Sequence, residues 1–166
     1  MVLVKHQLIV GSWNIDKLTP AMVEGFLRDF TLRVPNWNVL LLQEAFQGVQ
    51  FHNLITDESH NVFATLHRKG QQRMAIIVHR ESVINMVEGS FIDHGRACSV
   101  DFKWDGKAIR FINSHLVPSG KTYSADEFNL SLNQTTTLIK GAPLNSEIVM
   151  GIDAQNQLGG GNSQDN

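Results

Sequence analysis

The sequence predicts an α/β fold, and three features of the chain carry this prediction. Four consecutive aliphatic residues at 39–42, bounded by turn residues, are typical of a strand buried on both faces. A helical pattern and a further strand pattern precede them, which together predict a strand–helix–strand crossover. Later in the chain, Asp105-Gly106 lies between alternating apolar residues and predicts an antiparallel hairpin. We therefore expect a helix-covered crossover followed by a meander.

The crossover occupies the first quarter of the chain. Residues 6–14 have an aliphatic centre, and we expect a second buried strand there. Thr19-Pro20 supplies a capping hydroxyl and then a proline at the first helical position. Pro35 ends the helix, because the residue before a proline is biased away from helical conformation. The apolar residues of this helix are expected on one face: Met22, Val23, Phe26, Leu27 and Phe30.

The middle of the chain predicts a short helix and then a series of strands. Residues 46–54 are the candidate helix, and a polar loop follows it. The first two strands are joined by a connection of hairpin type, and the last two flank Asp105-Gly106. The strand patterns lie at residues 62–66, 74–78, 91–92, 97–104 and 107–115.

The last third predicts one helix and one strand. Ser124 and Glu127 have the spacing of a capping box, and Phe128, Leu132 and Ile139 continue on one helical face. Residues 148–151 predict a short buried strand that leads into Asp153. Residues 159–166 are glycine, serine, aspartate and amide residues, and we expect this tail to be disordered.

The composition sets limits on the class of protein. A chain of 166 residues fits one domain that buries roughly 70% of its unfolded surface. The formal net charge of −2 excludes a globally basic surface, although a local basic patch remains compatible with it. Cys98 is the single cysteine, so we expect a small buried hydrophobe rather than a disulfide. Without a membrane-spanning run or a signal peptide, we expect a soluble, intracellular protein.

Polar side chains follow four of the expected strands, namely Asn14, Glu44, His115 and Asp153. Strand ends that converge on one rim of a sheet hold such groups rigidly. Two carboxylates and an amide oxygen suit Mg²⁺, and a nearby imidazole can donate to a phosphate oxygen. The pattern therefore predicts metal-assisted phosphoester hydrolysis. The alternative is that these residues only mark where strands leave the core.

Four segments in this order resemble motifs of the endonuclease/exonuclease/phosphatase superfamily. They lie at residues 12–16, 42–44, 113–118 and 151–155. Within the superfamily, the chain looks most similar to apurinic/apyrimidinic-like endonuclease domains of non-LTR retrotransposons. The resemblance implies a four-layered α/β sandwich, in which two mixed β-sheets pack face to face with helices outside.

The resemblance also implies a role for each matching residue. Glu44 corresponds to the principal Mg²⁺ ligand, with Mn²⁺ as an alternative ion, and Asn14 to the amide that supports metal and phosphate. His115 corresponds to a histidine that contacts the scissile phosphate. Asp153 corresponds to the aspartate that positions the attacking water.

The chain departs from the family pattern at two places. Gln155 stands where the family has asparagine, and it carries the same donor and acceptor on a longer side chain. Asn156 is an alternative phosphate contact. Beyond Asp153 nothing resembles the Ser-Asp-His motif whose aspartate and histidine activate water. We therefore expect residues 1–158 to be a partial domain that lacks its last strands and has weak or no activity alone.

Three functions remain open at this point. The first is a DNA-nicking endonuclease of a retroelement, with DNA as substrate, a reverse transcriptase in a longer chain, and the nucleus as a plausible location. The second is a phosphatase that acts on inositol phosphates or phospholipid head groups. The third is a non-catalytic remnant or binding domain.

Other polar and aromatic residues are expected to be structural. Trp13 is expected to pack under the rim of the sheet, and Arg73 to lie with Arg68 and Lys69 at a solvated hairpin tip. The remaining histidines show no metal-ligand spacing and are expected at the surface: His6, His52, His60, His67, His79 and His94.

Overall fold

The computed structural model describes residues 7–15, 20–45, 60–65, 73–80, 84–117 and 124–154. Within these ranges the chain forms two helices and nine strands. The helices are α1 (Pro20–Arg33) and α2 (Ala125–Lys140). The strands are β1 (Val10–Asn14), β2 (Val39–Ala45), β3 (His60–Ala64), β4 (Arg73–His79), β5 (Ile84–Met86), β6 (Ile92–Asp93), β7 (Ala97–Trp104), β8 (Lys107–Leu116) and β9 (Glu147–Ala154). No helix in the described part of the chain is long and apolar enough to cross a membrane.

The first sheet has the strand order β1-β2-β4-β3 and contains the expected crossover. β1 pairs with β2 in parallel, and α1 connects them. β3 and β4 form an antiparallel pair, with β4 also antiparallel to β2. The helix begins at Pro20 and ends two residues before Pro35, as the proline positions predict. The expected helix at residues 46–54 lies outside the described residues.

The second sheet has the strand order β5-β7-β8-β9, with β6 paired to β7. β7 and β8 are the predicted hairpin, in register from Ala97–Ser114 to Trp104–Lys107. Asp105 and Gly106 both have positive φ, 49° and 76°, which is the backbone that an Asp-Gly hairpin turn requires. β9 runs parallel to β8, so this sheet is mixed as well.

The two sheets pack face to face and the helices cover their outer faces. Leu41, Ile76, Phe102 and Phe111 lie in the apolar cluster between the sheets. Leu27 of α1 packs with Leu40, Leu42 and Ile77 on the outer face of the first sheet. Leu138 of α2 packs with Ala97 and Ile112 on the outer face of the second. The four-layered α/β sandwich with two mixed sheets is therefore confirmed.

Helix α2 has the predicted start but a different buried face. Ser124 and Glu127 form the capping box in both directions. The residues buried against the sheet are Ser131, Thr135 and Leu138, while Leu132 and Ile139 are exposed. The outer face of β8 is polar at Ser114, whose hydroxyl lies 2.6 Å from that of Thr135. The polar position at Ser114 therefore selects Thr135 on the helix, and the expected Leu132–Ile139 face was wrong.

Strands β1 and β9 are sheet edges, so the prediction that both are buried was wrong. No described strand pairs with the outer edge of either one. On β9, Ile148, Met150 and Ile152 are exposed in a row on the outer face. Trp13 on β1 is 54% exposed, with its ring edge-to-face against Phe26 at 6.2 Å. It lies on the α1 side of an edge strand, not under a rim.

Two residues expected at the surface are buried. Arg73 begins β4 opposite Ala45 and is almost fully buried, so it is not part of a solvated hairpin tip. His60 is buried and stacks on Trp37 with ring centroids 5.3 Å apart. The Trp37 ring lies in the apolar cluster beneath α1, and its stacking on His60 places that imidazole in the interior. Arg68 and Lys69 lie outside the described residues.

Cys98 is fully buried in β7, as expected, and we predict that it is chemically inert in the folded protein. Burial, with a contribution from the charge of Asp93, raises the pKa of this thiol above its ordinary range. Because the thiolate is the nucleophile, modification should require unfolding. An aromatic disulfide reagent at pH 8 should react at least about a thousandfold more slowly than with the urea-unfolded chain, in line with ordinary domain stability. Rapid labelling of the native chain would contradict the structure.

Candidate active site

The structure brings the side chains of Asn14, Glu44, His115 and Asp153 together at one rim of the sandwich. Asn14 Nδ2 donates a hydrogen bond to Asp153 Oδ2 at 2.7 Å. His115 Nε2 lies 3.3 Å from Glu44 Oε1 and 3.6 Å from Asp153 Oδ2. Two of these residues come from each sheet, so the cluster bridges the sheet–sheet interface. The expected contacts Gln155 and Asn156 lie outside the described residues.

Glu44 reaches this cluster because β2 contains a β-bulge. The pairing of β2 with β4 steps from Leu42–Ala75 to Ala45–Arg73, which leaves one extra residue on β2. Glu44 itself has φ of 54°, a left-handed conformation that is uncommon for glutamate. Regular alternation would place its side chain with Leu42 on the apolar α1 side. The bulge instead directs the carboxylate towards His115, at a cost in backbone strain of about 1–3 kcal/mol.

Asp153 reaches Asn14 because β9 and β1 approach each other closely at Gly151. A Cβ atom at residue 151 would lie 2.5 Å from Ser12 Oγ and 3.0 Å from Leu41 Cβ. Only glycine therefore allows this spacing without movement of one strand. Gly151 lies two residues before Asp153 and on the same face of β9. Because residue 151 has no side chain, β9 lies close enough to β1 for the Asp153 carboxylate to reach Asn14.

Replacement of Gly151 by alanine should separate β9 from β1. Overpacking of this kind costs about 1–3 kcal/mol, so the free energy of unfolding in urea should fall by that amount. Divalent-cation affinity should fall as well, because the hydrogen bond between Asn14 and Asp153 lengthens. Gly25→Ala is the matched control: a Cβ there meets nothing within 4 Å, and alanine should stabilise α1 by about 0.5–1 kcal/mol. A Gly151→Ala variant as stable as wild type would refute the close approach.

His115 is held by backbone contacts and is kept neutral. Its backbone N–H donates to the Arg96 carbonyl at 3.0 Å, which extends the β7–β8 pairing. Burial lowers the pKa of His115, and this effect outweighs the opposing attraction of the Asp153 and Glu44 carboxylates. The charge of Arg96 lowers the pKa further. A neutral imidazole carries one N–H donor and one acceptor nitrogen.

Three of these groups could hold a divalent cation. One ligand atom each from Glu44, His115 and Asp153 lies within 4.8 Å of the others. Adjacent ligands of an octahedral Mg²⁺ are about 2.9 Å apart, since its ligand distances are about 2.1 Å. The two carboxylates could both bind such an ion if their oxygens moved closer together, and Asn14 could add its amide oxygen. The imidazole nitrogen suits a softer metal better than Mg²⁺, which favours a different role for His115.

Sequence reasoning missed two residues beside this cluster. Asn113 and Arg96 are both buried, and the guanidinium of Arg96 is close enough to act on the pKa of His115. Asn113 lies inside a recognised motif, two residues before His115 and thus on the same face of β8. The two-residue alternation of the strand, counted back from His115, was the signal in the sequence that could have indicated Asn113. Arg96 precedes β7 without any pattern that distinguishes it from a surface arginine.

Comparison with known proteins gives matches only at the level of structure. No protein-family model and no curated protein matches this sequence. D. rerio TDP2 complexed with a single-strand DNA product matches with a TM-score of 0.63 at 19% identity, over 88% of this chain and 60% of that one. The endonuclease domain of TRAS1, a telomere-specific non-LTR retrotransposon, matches with a TM-score of 0.55 at 15% identity, over 89% and 59%. The human Nocturnin catalytic domain matches with a TM-score of 0.54 at 14% identity, over 85% and 62%.

These matches define the class of fold. The chain has the α/β sandwich fold of the matched structures, which is the fold that the resemblance of the sequence motifs implies. It spans 59–65% of the length of the matched D. rerio TDP2, TRAS1 and Nocturnin chains.

Proposed function

We propose that this chain is part of a metal-dependent phosphodiesterase, and that its substrate is DNA. The observation that carries the proposal is the convergence of Asn14, Glu44, His115 and Asp153 at one rim. Two carboxylates, an amide and a neutral imidazole within this distance match the needs of a phosphoester site. The fold is one on which metal-dependent phosphodiesterases and nucleases occur.

We assign one role to each residue. Glu44 would hold Mg²⁺, or Mn²⁺ in its place, and Asn14 would support the ion and the phosphate. A bound divalent cation would neutralise charge on the phosphate and stabilise the leaving oxygen. The neutral ring of His115, which lies between the two carboxylates, donates its single N–H to a phosphate oxygen. Asp153, oriented by Asn14, positions the attacking water, and Gln155 or Asn156 adds a phosphate contact.

Two of the matched structures favour DNA over other phosphoesters. One is a complex of TDP2 with a single-strand DNA product, and another is a retrotransposon endonuclease domain. On this basis we propose a DNA-nicking activity of a retroelement protein. A phosphatase acting on inositol phosphates or phospholipid head groups is the second candidate, which the net charge of −2 favours. A binding domain without catalysis is the third, and the replacement of the family asparagine by Gln155 favours it.

We further propose that residues 1–158 form a partial domain. The two edge strands β1 and β9 lie on the same side of the sandwich, and the row Ile148, Met150 and Ile152 is exposed on the outer face of β9, whereas α2 packs on β7 and β8. Exposed edges and apolar rows of this kind are normally covered. The family's water-activating aspartate and histidine have no counterpart in the sequence after Asp153, so the 166-residue chain should be weakly active or inactive alone.

The test compares this chain with a longer version that continues into a Ser-Asp-His segment. Only the longer version should nick supercoiled plasmid in millimolar Mg²⁺, while both should bind Mg²⁺ in calorimetry. Hydrolysis of a phosphoinositide but not plasmid by the same preparation would select the phosphatase. Absence of Mg²⁺ binding in the millimolar range by both versions would select the non-catalytic domain.

A further inference from the structure

We propose that Asn113 is a positioning residue that holds the bulge of β2 and thereby aims the Glu44 carboxylate. This inference rests on the proposed function only for its metal-binding consequence. Asn113 lies on β8 and is completely buried between the sheets. It does not touch the carboxylate itself, so its effect on the site has to act through the backbone of β2.

The side-chain amide of Asn113 makes hydrogen bonds across the sheet–sheet interface through both of its N–H groups and through its oxygen. Its Nδ2 group donates to the Leu42 carbonyl at 2.8 Å and to the Ala75 carbonyl at 2.9 Å. Its Oδ1 accepts from Gln43 Nε2 at 2.6 Å. Leu42 and Ala75 are the last regular pair before the bulge. One side chain from the second sheet therefore holds both strands of the first sheet at the point where regular pairing ends.

The contact through Gln43 extends this support to a third strand. Gln43 Nε2 also lies 3.1 Å from Ser12 Oγ on β1. Gln43 and Glu44 are consecutive, yet both face the second sheet, which regular alternation forbids. The left-handed backbone at Glu44 makes this arrangement possible. Because the backbone there is strained, it persists only while its surroundings hold it, and Asn113 supplies hydrogen bonds to Leu42, Ala75 and Gln43 next to the bulge.

A purely structural role for Asn113 makes a different prediction. Any buried amide that loses its partners lowers stability, whether or not it positions a functional group. Positioning requires in addition that Glu44 and Ala45 change conformation and that cation affinity falls when the fold remains intact. Stability and site geometry must therefore be measured separately.

The test uses Asn113→Asp, with Phe111→Leu as the matched control. Aspartate has the same shape and still accepts from Gln43, but it sets a carboxylate oxygen against the Leu42 and Ala75 carbonyls. Phe111 is also completely buried on the same face of β8, within the apolar cluster between the sheets. Asn113→Asp should weaken Mg²⁺ binding at least about tenfold and shift the amide resonances of Glu44 and Ala45. Phe111→Leu should lower stability and leave affinity and both amides unchanged.

If Asn113→Asp does not fold, Gln43→Met is the second variant, because it removes the bond to Asn113 Oδ1 and the contacts with Ser12 and the Leu41 carbonyl but leaves both Nδ2 bonds of Asn113 in place. It should shift the same two amides in the same direction by a smaller amount. Unshifted Glu44 and Ala45 amides in whichever variant folds, or equal shifts in Phe111→Leu, would overturn the inference. If wild type binds no Mg²⁺, the proposed function fails, while the amide shifts still decide the role of Asn113.

Discussion

Replacing Glu44 with glutamine should abolish the metal-dependent activity of the longer protein and Mg²⁺ binding by this chain. Glutamine has the same length and keeps one acceptor oxygen, so the buried bulge can persist. It removes the negative charge that a hard cation requires. One group that stabilises transition-state charge is typically worth about 10²–10³ in rate, and loss of the cation as well should lower plasmid nicking by at least about 10³-fold.

The matched control for this variant is Glu147→Gln. Glu147 is an exposed carboxylate at the start of β9, where it pairs only with Lys107 among the described residues. Its replacement should leave Mg²⁺ affinity and nicking unchanged. Activity and Mg²⁺ binding in Glu44→Gln equal to wild type would show that Glu44 is the end of a strand and not a metal ligand.

Replacing Arg110 with methionine should lower the free energy of unfolding by about 3–5 kcal/mol, measured by urea denaturation. Arg110 on β8 makes a bidentate ion pair with Asp101 on β7, with Nε–Oδ1 and Nη2–Oδ2 distances of 2.6 and 2.7 Å. The two side chains are only 4% and 11% exposed. Arg110 also donates to the Leu138 carbonyl near the end of α2 at 2.9 Å. The variant leaves a buried carboxylate and that helix carbonyl without this partner.

An exposed ion pair between β8 and the neighbouring strand β9 provides the control. Lys107 and Glu147 lie 3.3 Å apart with side chains 64% and 55% exposed. Lys107→Met should cost no more than about 1 kcal/mol, because solvent screens the pair. The double variant Asp101→Leu with Arg110→Met should recover much of the loss, since no charge remains buried. A loss for Arg110→Met no larger than that for Lys107→Met would contradict the buried pair.

The elements that the sequence predicted well depend on short-range rules. The Asp105-Gly106 hairpin and the Ser124 capping box need only the turn or the first helical turn to form, and both are present. The strand–helix–strand crossover at the start of the chain also follows from local signals. A parallel pair of strands needs a connecting helix, and Pro20 and Pro35 mark the two ends of that helix. These features could be predicted because neighbours in the chain decide them.

The predictions that failed depend on neighbours distant in the chain. Strands β1 and β9 have apolar sequences and were expected to be buried, but a sheet edge is defined by which strands pair with it. The buried face of α2 was misplaced because Ser114 on the outer face of β8 pairs with Thr135, which turns Leu132 and Ile139 to the exposed side. Arg73 was expected in solvent, and its place opposite Ala45 in β4 buries it.

By itself, the sequence predicted the α/β class, most of the elements in their order and the four strand-end residues of the candidate site, because these follow from local hydrophobic pattern and turn chemistry. The tertiary structure decided how those residues meet. The bulge that turns Glu44, the close approach at Gly151 and the support from Asn113 each join residues from different strands. Side-chain direction at such points depends on contacts between the two packed sheets, and these contacts exist only once both sheets have formed.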